Sequence, residues 1–137
     1  MKFPEWLTVY GDQKFRGKCP TETAEQVTFF NKLRREYPHL AACAVHIRNE
    51  GKRNANQVAK EKAEGMLKGA ADIFIAGCPA FICELKKQDH TKCHWEGGQQ
   101  EFLEAAQLNG AFTCVALGYD AAFEALEDWI RDTKHTS

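Results

Sequence analysis

Residues 69–87 read GAADIFIAGCPAFICELKK, and this stretch decides the fold. Two short apolar runs, IFI at 73–75 and FICEL at 81–85, have the length and composition of buried strands. The intervening GCP at 77–79 is typical of a turn, since glycine and proline interrupt regular structure. The stretch therefore predicts a β-hairpin whose strands are largely buried.

Three charged residues in this hairpin need an explanation, because an isolated ion inside a protein loses its hydration. If the GCP turn has three residues, Ala76 faces Ala80, and counting back places Asp72 opposite Glu84. Side chains alternate along a strand, so Lys86 lies on the same face as Glu84. A divalent cation would turn the repulsion of the two carboxylates into coordination. Magnesium suits this position, since it commonly takes one or two carboxylates together with phosphate and water.

A purely structural interpretation of these charges stays open. Asp72 then caps the start of its strand, while Glu84 and Lys86 form a half-exposed ion pair worth about 0–1 kcal/mol. A turn of two or four residues would also break the register. The apolar neighbours of the charges favour the metal interpretation, because they indicate burial.

Composition limits the class of protein. At 137 residues and 44% hydrophobic content the chain predicts one compact domain. Its formal net charge of −1 excludes a generally basic surface, so a nucleic-acid partner would meet a local patch. No run reaches the roughly 18 apolar residues of a membrane span, and MKFPEWLTVY at the start lacks the apolar core of a signal peptide. We therefore expect a cytoplasmic protein without a membrane partner.

The six cysteines predict neither a disulfide framework nor a strong zinc signature. None belongs to a C-x-x-C pair, and three of them, Cys43, Cys83 and Cys114, lie in apolar runs where cysteine behaves as a small hydrophobe. The stretch DHTKCHW at 89–95 contains three of the four ligands that a structural zinc site requires: His90, Cys93 and His94. We favour an ordinary polar loop there.

The order of elements indicates an α/β protein. A helix is predicted within 19–40, with Thr23 and Gln26 as its capping box and Pro38 at its end. A strand at 41–47, a polar loop with a short helix, the hairpin, a helix, a strand and a last helix follow. The order α-β-α-β-β-α-β-α predicts a central sheet of about four strands flanked by helices, with a core at 21–132 and an N-terminal extension at 1–20.

The order of motifs resembles that of the PD-(D/E)XK nuclease superfamily: G-x-x-D, a hairpin, E-x-K on its second strand, an acidic helix before and a helix bearing glutamine after. Within it, the chain is similar to the small stand-alone VRR-NUC domains of phage and bacteria, over residues 21–129. One departure is AAD at 70–72, where the superfamily has proline before the aspartate; the superfamily tolerates this. The resemblance implies a restriction-endonuclease-like core with a mixed sheet. It also implies Mg²⁺-dependent hydrolysis of DNA phosphodiester bonds, with Mn²⁺ as a substitute, in a bacterial or phage-infected cell.

The resemblance also implies site residues. Asp72, Glu84 and the backbone carbonyl of Leu85 correspond to the metal ligands, and Lys86 to the lysine that orients or deprotonates the attacking water. Gln99 corresponds to the helix glutamine. Gln99 shares a helix face with Phe102, Leu103 and Ala106. Since this face is apolar, we expect Gln99 to point inward, toward the hairpin.

The acid of the first helix has two candidates. At 100° per residue Glu22 lies close to the apolar face of that helix, and Glu25 lies roughly a quarter-turn away. We prefer Glu22 and keep Glu25 as the substitute. Either residue also fits an ordinary first-turn acid, which the helix dipole favours.

Partners follow from charge and from the resemblance. The segment before the hairpin is locally basic, and Arg48, Lys52 and Arg53 are the residues expected to contact DNA phosphates. Stand-alone VRR-NUC domains imply branched DNA such as a four-way junction, cut by a homodimer. The apolar opening FPEWLTVY either forms the dimer interface or packs on its own core. The alternative function is a non-catalytic DNA-binding or phage interaction protein on the same fold.

Overall fold

Five strands and five α-helices make up the part of the chain that the computed structural model describes, residues 1–47 and 54–135. The strands are β1 (Val9–Tyr10), β2 (Ala44–His46), β3 (Ile73–Ile75), β4 (Phe81–Lys86) and β5 (Phe112–Leu117). The helices are α1 (Glu22–Glu36), α2 (Pro38–Ala41), α3 (Ala55–Ala63), α4 (Gln99–Leu108) and α5 (Tyr119–His135). None of these helices is long and apolar enough to cross a membrane.

The strands form one mixed sheet in the order β1-β5-β4-β3-β2. β1 and β4 run parallel to β5, whereas β3 is antiparallel to both β4 and β2. The predicted α/β class and mixed sheet are confirmed. The sheet has five strands rather than about four, because Val9 and Tyr10 pair with β5. Two residues are too few to show the period of a strand in the sequence.

Alternation along β4 separates the two faces of the sheet. Phe81, Cys83 and Leu85 point into a core that α1 and α5 cover. Ile82 points to the opposite face, which packs against α4 and the N-terminal segment. Because side chains alternate, Glu84 and Lys86 share the face of Ile82. The sheet therefore presents these two charges to α4.

The N-terminal segment packs on its own domain. Leu7 is buried in the α4-side core, and Phe3, Trp6 and Val9 pack against that core. The indole nitrogen of Trp95 also donates a hydrogen bond to the Lys2 carbonyl at 2.8 Å. Of the two uses foreseen for this opening, the structure shows the one in which it covers the chain's own core.

Two element boundaries differ from the sequence prediction. Helix α1 is capped by Thr21, whose side chain accepts a hydrogen bond from the Ala24 amide, so the capping box at Thr23 is wrong. The stretch predicted as a strand over 41–47 contains only three strand residues, because α2 begins at Pro38 and extends to Ala41. Proline fits the first turn of a helix, where no amide donor is needed.

Candidate active site

The hairpin has the register that brings the two carboxylates together. Ile73 pairs with Cys83, and Ile75 pairs with Phe81. One further step in this antiparallel register places Asp72 opposite Glu84, as the three-residue turn predicts. The predicted pairing is confirmed.

The charges on β4 are buried. Glu84 is 1% exposed and Lys86 is 3% exposed. The Lys86 ammonium lies 3.8 Å from Oε1 of Glu84. The half-exposed ion pair that the structural interpretation required is therefore wrong. Buried ion pairs contribute little net stability, because desolvation offsets their attraction, so this arrangement calls for a functional reason.

Gln99 joins the two buried charges. Its Nε2 donates to Oε1 of Glu84 at 2.9 Å, and its Oε1 accepts from the Lys86 ammonium at 3.2 Å. The backbone amide of Glu96 also donates to Oε1 of Gln99, at 2.9 Å, and this bond fixes the orientation of the Gln99 side chain. The predicted inward position of Gln99 is thus confirmed. A second acceptor for Lys86 is the His94 carbonyl at 3.1 Å.

Asp72 lies where β3 begins and faces the middle of β4. Its Oδ2 accepts a hydrogen bond from the Leu85 amide at 3.0 Å. In an antiparallel pair, the N–H and C=O of one residue point toward the same adjacent strand. The Leu85 carbonyl therefore points, like the Leu85 amide, toward the strand that follows Asp72. Burial raises the pKa of Asp72, although the hydrogen bond from Leu85 opposes this change. The backbone therefore directs an amide and a carbonyl to this side of the hairpin.

Glu84 has an oxygen without a partner. Its Oε2 is buried and accepts no hydrogen bond from any residue that the structure describes. Burial, the nearby charge of Asp72 and a side-chain hydrogen bond with Asp72 raise the pKa of Glu84 well above its usual range. The two carboxyl groups are therefore close enough to need either a shared proton or a cation between them. A buried polar atom without a partner usually indicates a missing ion or water. Two carboxylates and a carbonyl are the hard oxygen ligands that Mg²⁺ prefers, so the residues present fit this ion.

These groups line a cleft of about 560 Å³. Its lining includes Glu22, Asp72, Glu84 and Gln99. It also contains six basic residues: His46, Lys68, Lys86, Lys87, Lys92 and His94. Acidic groups that suit a cation therefore share one cavity with bases that suit phosphate.

The two acids of α1 have different surroundings. Glu22 lines the cleft, and burial raises its pKa while the Lys86 charge lowers it. Glu25 is buried away from the cleft, where its Oε2 accepts from Gln88 Nε2 and from the Tyr119 amide, both at 3.3 Å. Glu25 therefore joins α1 to the start of α5. This geometry supports Glu22 as the site acid.

Glu22→Gln and Glu25→Gln should separate activity from stability. We expect Glu22→Gln to lower the cleavage rate about 10- to 100-fold, the usual effect of a residue beside a metal centre. Glu25→Gln should leave the rate unchanged and lower the free energy of unfolding by about 1–2 kcal/mol, since a buried acceptor at a helix start is weakened. Cleavage kinetics and urea unfolding measure the two effects. The reverse assignment of effects would make Glu25 the site acid.

Glu84→Gln should change the dependence of stability on pH. The raised pKa means that the metal-free folded state binds a proton that the unfolded chain releases near pH 4.3. The free energy of unfolding should therefore fall as pH rises above about 4.3 toward the folded pKa, and the glutamine variant should flatten this slope. Thermal unfolding in EDTA from pH 5 to pH 8 measures it, and equal slopes would contradict the prediction.

Asp89 has the opposite shift and does not disturb that measurement. Hydrogen bonds from the Thr91 hydroxyl and the Gly17 amide lower the pKa of Asp89 to about 2. A lowered pKa contributes stability above the unfolded value and loses it as pH falls toward 2. Its effect therefore lies below about pH 4.

The approach of the 68–69 loop to the start of α4 was not foreseen. Gly69 and Gly98 have φ angles of +87° and +92°, which favour glycine. A Cβ on Gly69 would lie 2.3 Å from the Gly98 carbonyl carbon, and one on Gly98 would lie 2.5 Å from the Lys68 oxygen. The close crossing sets the position of Gln99 at the start of α4. The GG pair at 97–98 was a signal that would have indicated such an approach.

Two further predictions concern the zinc alternative and the DNA contacts. Within residues 1–47 and 54–135 no three histidine, cysteine, aspartate or glutamate side chains form a metal-binding group, so the zinc alternative for His90, Cys93 and His94 is wrong. His90 Nε2 bonds the Gln13 carbonyl at 3.0 Å, and His94 pairs with Glu96 at 2.8 Å. All six cysteines are free. The DNA-binding candidates Arg48, Lys52 and Arg53 lie outside the described residues and stay predictions.

Fold and site together define an α/β domain with buried hairpin carboxylates, a lysine and a helix glutamine around one cleft. A solved structure described as a VRR_NUC domain protein is similar to this chain, with a TM-score of 0.67 and 23% sequence identity. The similarity covers 83% of this chain and 91% of that one. The resemblance drawn from the sequence is confirmed at the level of the fold. No family model matches the chain, and no curated protein matches it.

Proposed function

We propose that this protein is a metal-dependent DNA endonuclease. The observation that carries the proposal is the pair of opposed carboxylates, Asp72 and Glu84, with the unpartnered Oε2 of Glu84 and the buried ammonium of Lys86 beside them. An ion pair for stability would not need a second carboxylate or an unsatisfied oxygen. Two carboxylates suit a cation site for phosphodiester hydrolysis, since Mg²⁺ is commonly held by one or two carboxylates together with phosphate and water.

Asp72, Glu84 and the Leu85 carbonyl would hold the ion. When bound, Mg²⁺ would supply a Lewis acid for the phosphoryl oxygens and lower the pKa of a bound water. The residues of the chain then position the reactants. Gln99 holds Glu84 and Lys86 in register through its two ends, so neither side chain has to reorganise during the reaction.

Lys86 orients the attacking water in this proposal. Two of its acceptors are fixed, the His94 carbonyl and Gln99 Oε1, and its third neighbour is Glu84 at 3.8 Å. The ammonium therefore has a donor to offer at the carboxylate side, where the water would lie. The water oxygen attacks phosphorus and loses a proton to solvent, the bond to the leaving sugar oxygen breaks, and that oxygen takes up a proton from solvent. The Lys86 ammonium keeps its proton and donates a hydrogen bond to the attacking oxygen.

The finer assignment is a structure-selective nuclease of branched DNA, such as four-way junctions, that acts as a homodimer. It rests on the resemblance and on one argument: each chain has one cleft, and symmetric cutting of a junction needs two. The N-terminal segment packs on its own core, so its buried apolar side chains are not available to a dimer interface. Light scattering at micromolar concentration, with and without junction DNA, tests this assignment; monomer in both conditions would exclude it.

The activity is tested on a labelled panel of four-way junction, flap, nicked, single-stranded and linear duplex DNA. We expect cutting of at least one branched substrate in Mg²⁺ or Mn²⁺ and none in EDTA. The preferred member of the panel defines the substrate shape. If the protein binds DNA but cuts no member in either metal, the non-catalytic DNA-binding alternative replaces the nuclease.

A further inference from the structure

A second groove, of about 440 Å³, lies beside the active-site cleft. One wall is the face of α1 that carries Gln26, Val27, Phe30 and Arg34, and the other contains Ala44 and His46 of β2. β2 is the edge strand of the sheet, so this groove runs along the sheet's border. Its volume lies within the range of small-ligand sites in proteins.

His46 connects the groove to the active-site cleft, because it lines both. Its Nδ1 lies 2.9 Å from the Asp72 carbonyl, and a carbonyl only accepts, so Nδ1 carries the proton. The histidine is thereby held at the boundary between the carboxylates and the groove. The cleft and the groove therefore meet at His46.

The groove has the chemistry of a nucleobase site. Phe30 contributes a half-buried ring that packs against the core, and the Arg34 guanidinium lies over this ring, 5.7 Å from its centre. Val27 is 55% exposed and adds an apolar contact surface to the groove. No acidic side chain is found among the described residues that line the groove, although the chain has 19 acids. Aromatic rings, apolar contacts and positive charge without opposing carboxylates match single-stranded DNA.

The surface of α5 provides the contrast. The cavity along α5 is lined by Asp120, Glu124, Glu127 and Asp128, which would repel a phosphate backbone. Two basic residues, Lys32 and Arg131, also line that cavity, so acids outnumber bases there, in contrast to the groove.

We propose that the groove binds an unpaired nucleotide next to the cleavage site, with its base stacked on Phe30 and its phosphate at Arg34. This inference rests on the proposed nuclease function and adds the feature of the substrate that the protein selects. Fully paired DNA cannot place a base in the groove without breaking a pair, so unpaired nucleotides at the branch point favour binding.

The test compares two branched DNAs that are identical except for two unpaired thymidines at the branch point. Fluorescence anisotropy in EDTA gives the affinity of each without cleavage. We expect wild type to bind the DNA with unpaired thymidines more tightly. Phe30→Leu, which keeps an apolar side chain for packing, should reduce that affinity about 5- to 150-fold, the loss of one stacked base. Phe30→Tyr should retain it.

A matched pair of charge variants separates the groove from the rest of α1. Val27→Asp places a carboxylate in the groove, while Thr28→Asp adds the same charge at the next residue, which is exposed and does not line the groove. Val27→Asp should abolish the preference for unpaired thymidines, and Thr28→Asp should keep it. If Val27→Asp and Thr28→Asp weaken binding equally, and each weakens the binding of both DNAs to the same degree, the inference is overturned.

The outcomes distinguish this inference from the proposed function. Metal-dependent cutting by wild type without any preference for unpaired nucleotides overturns the groove proposal alone. A Val27→Asp variant that changes the oligomeric state in light scattering but keeps the preference shows a protein interface instead. Failure of wild type to bind or cut any DNA overturns both proposals.

Discussion

Lys86→Met is expected to lower the single-turnover rate of DNA cleavage by about 10²- to 10³-fold at saturating Mg²⁺, the contribution of a preorganised donor to charge that develops in the transition state. Methionine keeps most of the buried volume and removes the charge. Removing one partner of a buried ion pair costs about 3–5 kcal/mol when the other charge stays uncompensated, and this cost is smaller when the remaining partner can take up a proton. Glu84 can do so, since burial raises its pKa.

The control for this variant is Lys18→Met, which alters an exposed lysine outside the cleft. It should cut at the wild-type rate. Circular dichroism and thermal unfolding establish that both variants are folded. A Lys86→Met protein that is folded and cuts within about threefold of wild type would remove Lys86 from the mechanism.

Asp72→Asn is expected to weaken Mn²⁺ binding by more than about 100-fold and to abolish cutting at Mg²⁺ concentrations that saturate wild type. Even groups that only orient a metal ligand are worth about 10- to 100-fold in affinity, and Asp72 is placed as a ligand. The amide has the same shape and can still accept the Leu85 hydrogen bond, so the fold should be kept. Isothermal titration with Mn²⁺ measures the affinity.

Asp12→Asn serves as the matched control, because Asp12 is exposed and lies outside the cleft. It should bind Mn²⁺ as wild type does. Equal affinity in wild type and Asp72→Asn would place any bound ion elsewhere and would leave the hairpin carboxylates without the proposed role.

The hairpin could be predicted because its information is local. A turn of known length fixes the register, the register fixes which residues face each other, and alternation fixes the face of Lys86. Gln99 could be placed for a similar reason, since the period of α4 sets its direction. These steps need only short stretches of sequence.

Other parts of the site could not be predicted, because they depend on backbone groups or on segments far apart in the chain. The backbone carbonyl of His94 accepts a hydrogen bond from Lys86. Every residue has such a carbonyl, so the residue type does not indicate this contact. The groove forms where α1 meets β2, and no sequence pattern shows which faces of those elements are left uncovered. Similarly, β1 is a strand only because β5 offers it a partner.

The distinction between Glu22 and Glu25 shows the same limit. Helical periodicity favours Glu22 over Glu25, but it cannot show that Glu25 meets Gln88 and the Tyr119 amide. That contact depends on how α5 starts after β5. Packing therefore gives Glu25 a role of its own and leaves Glu22 as the acid that α1 contributes to the cleft.

The central claim is that Asp72 and Glu84 hold a divalent ion, and a crystal soaked in Mn²⁺ tests it most directly. Anomalous diffraction locates manganese without assumptions about the protein. We predict a peak between the two carboxylates and within coordination distance of the Leu85 carbonyl, at the oxygen of Glu84 that now has no partner. No peak there at saturating Mn²⁺, or a peak only at another site, would contradict the account.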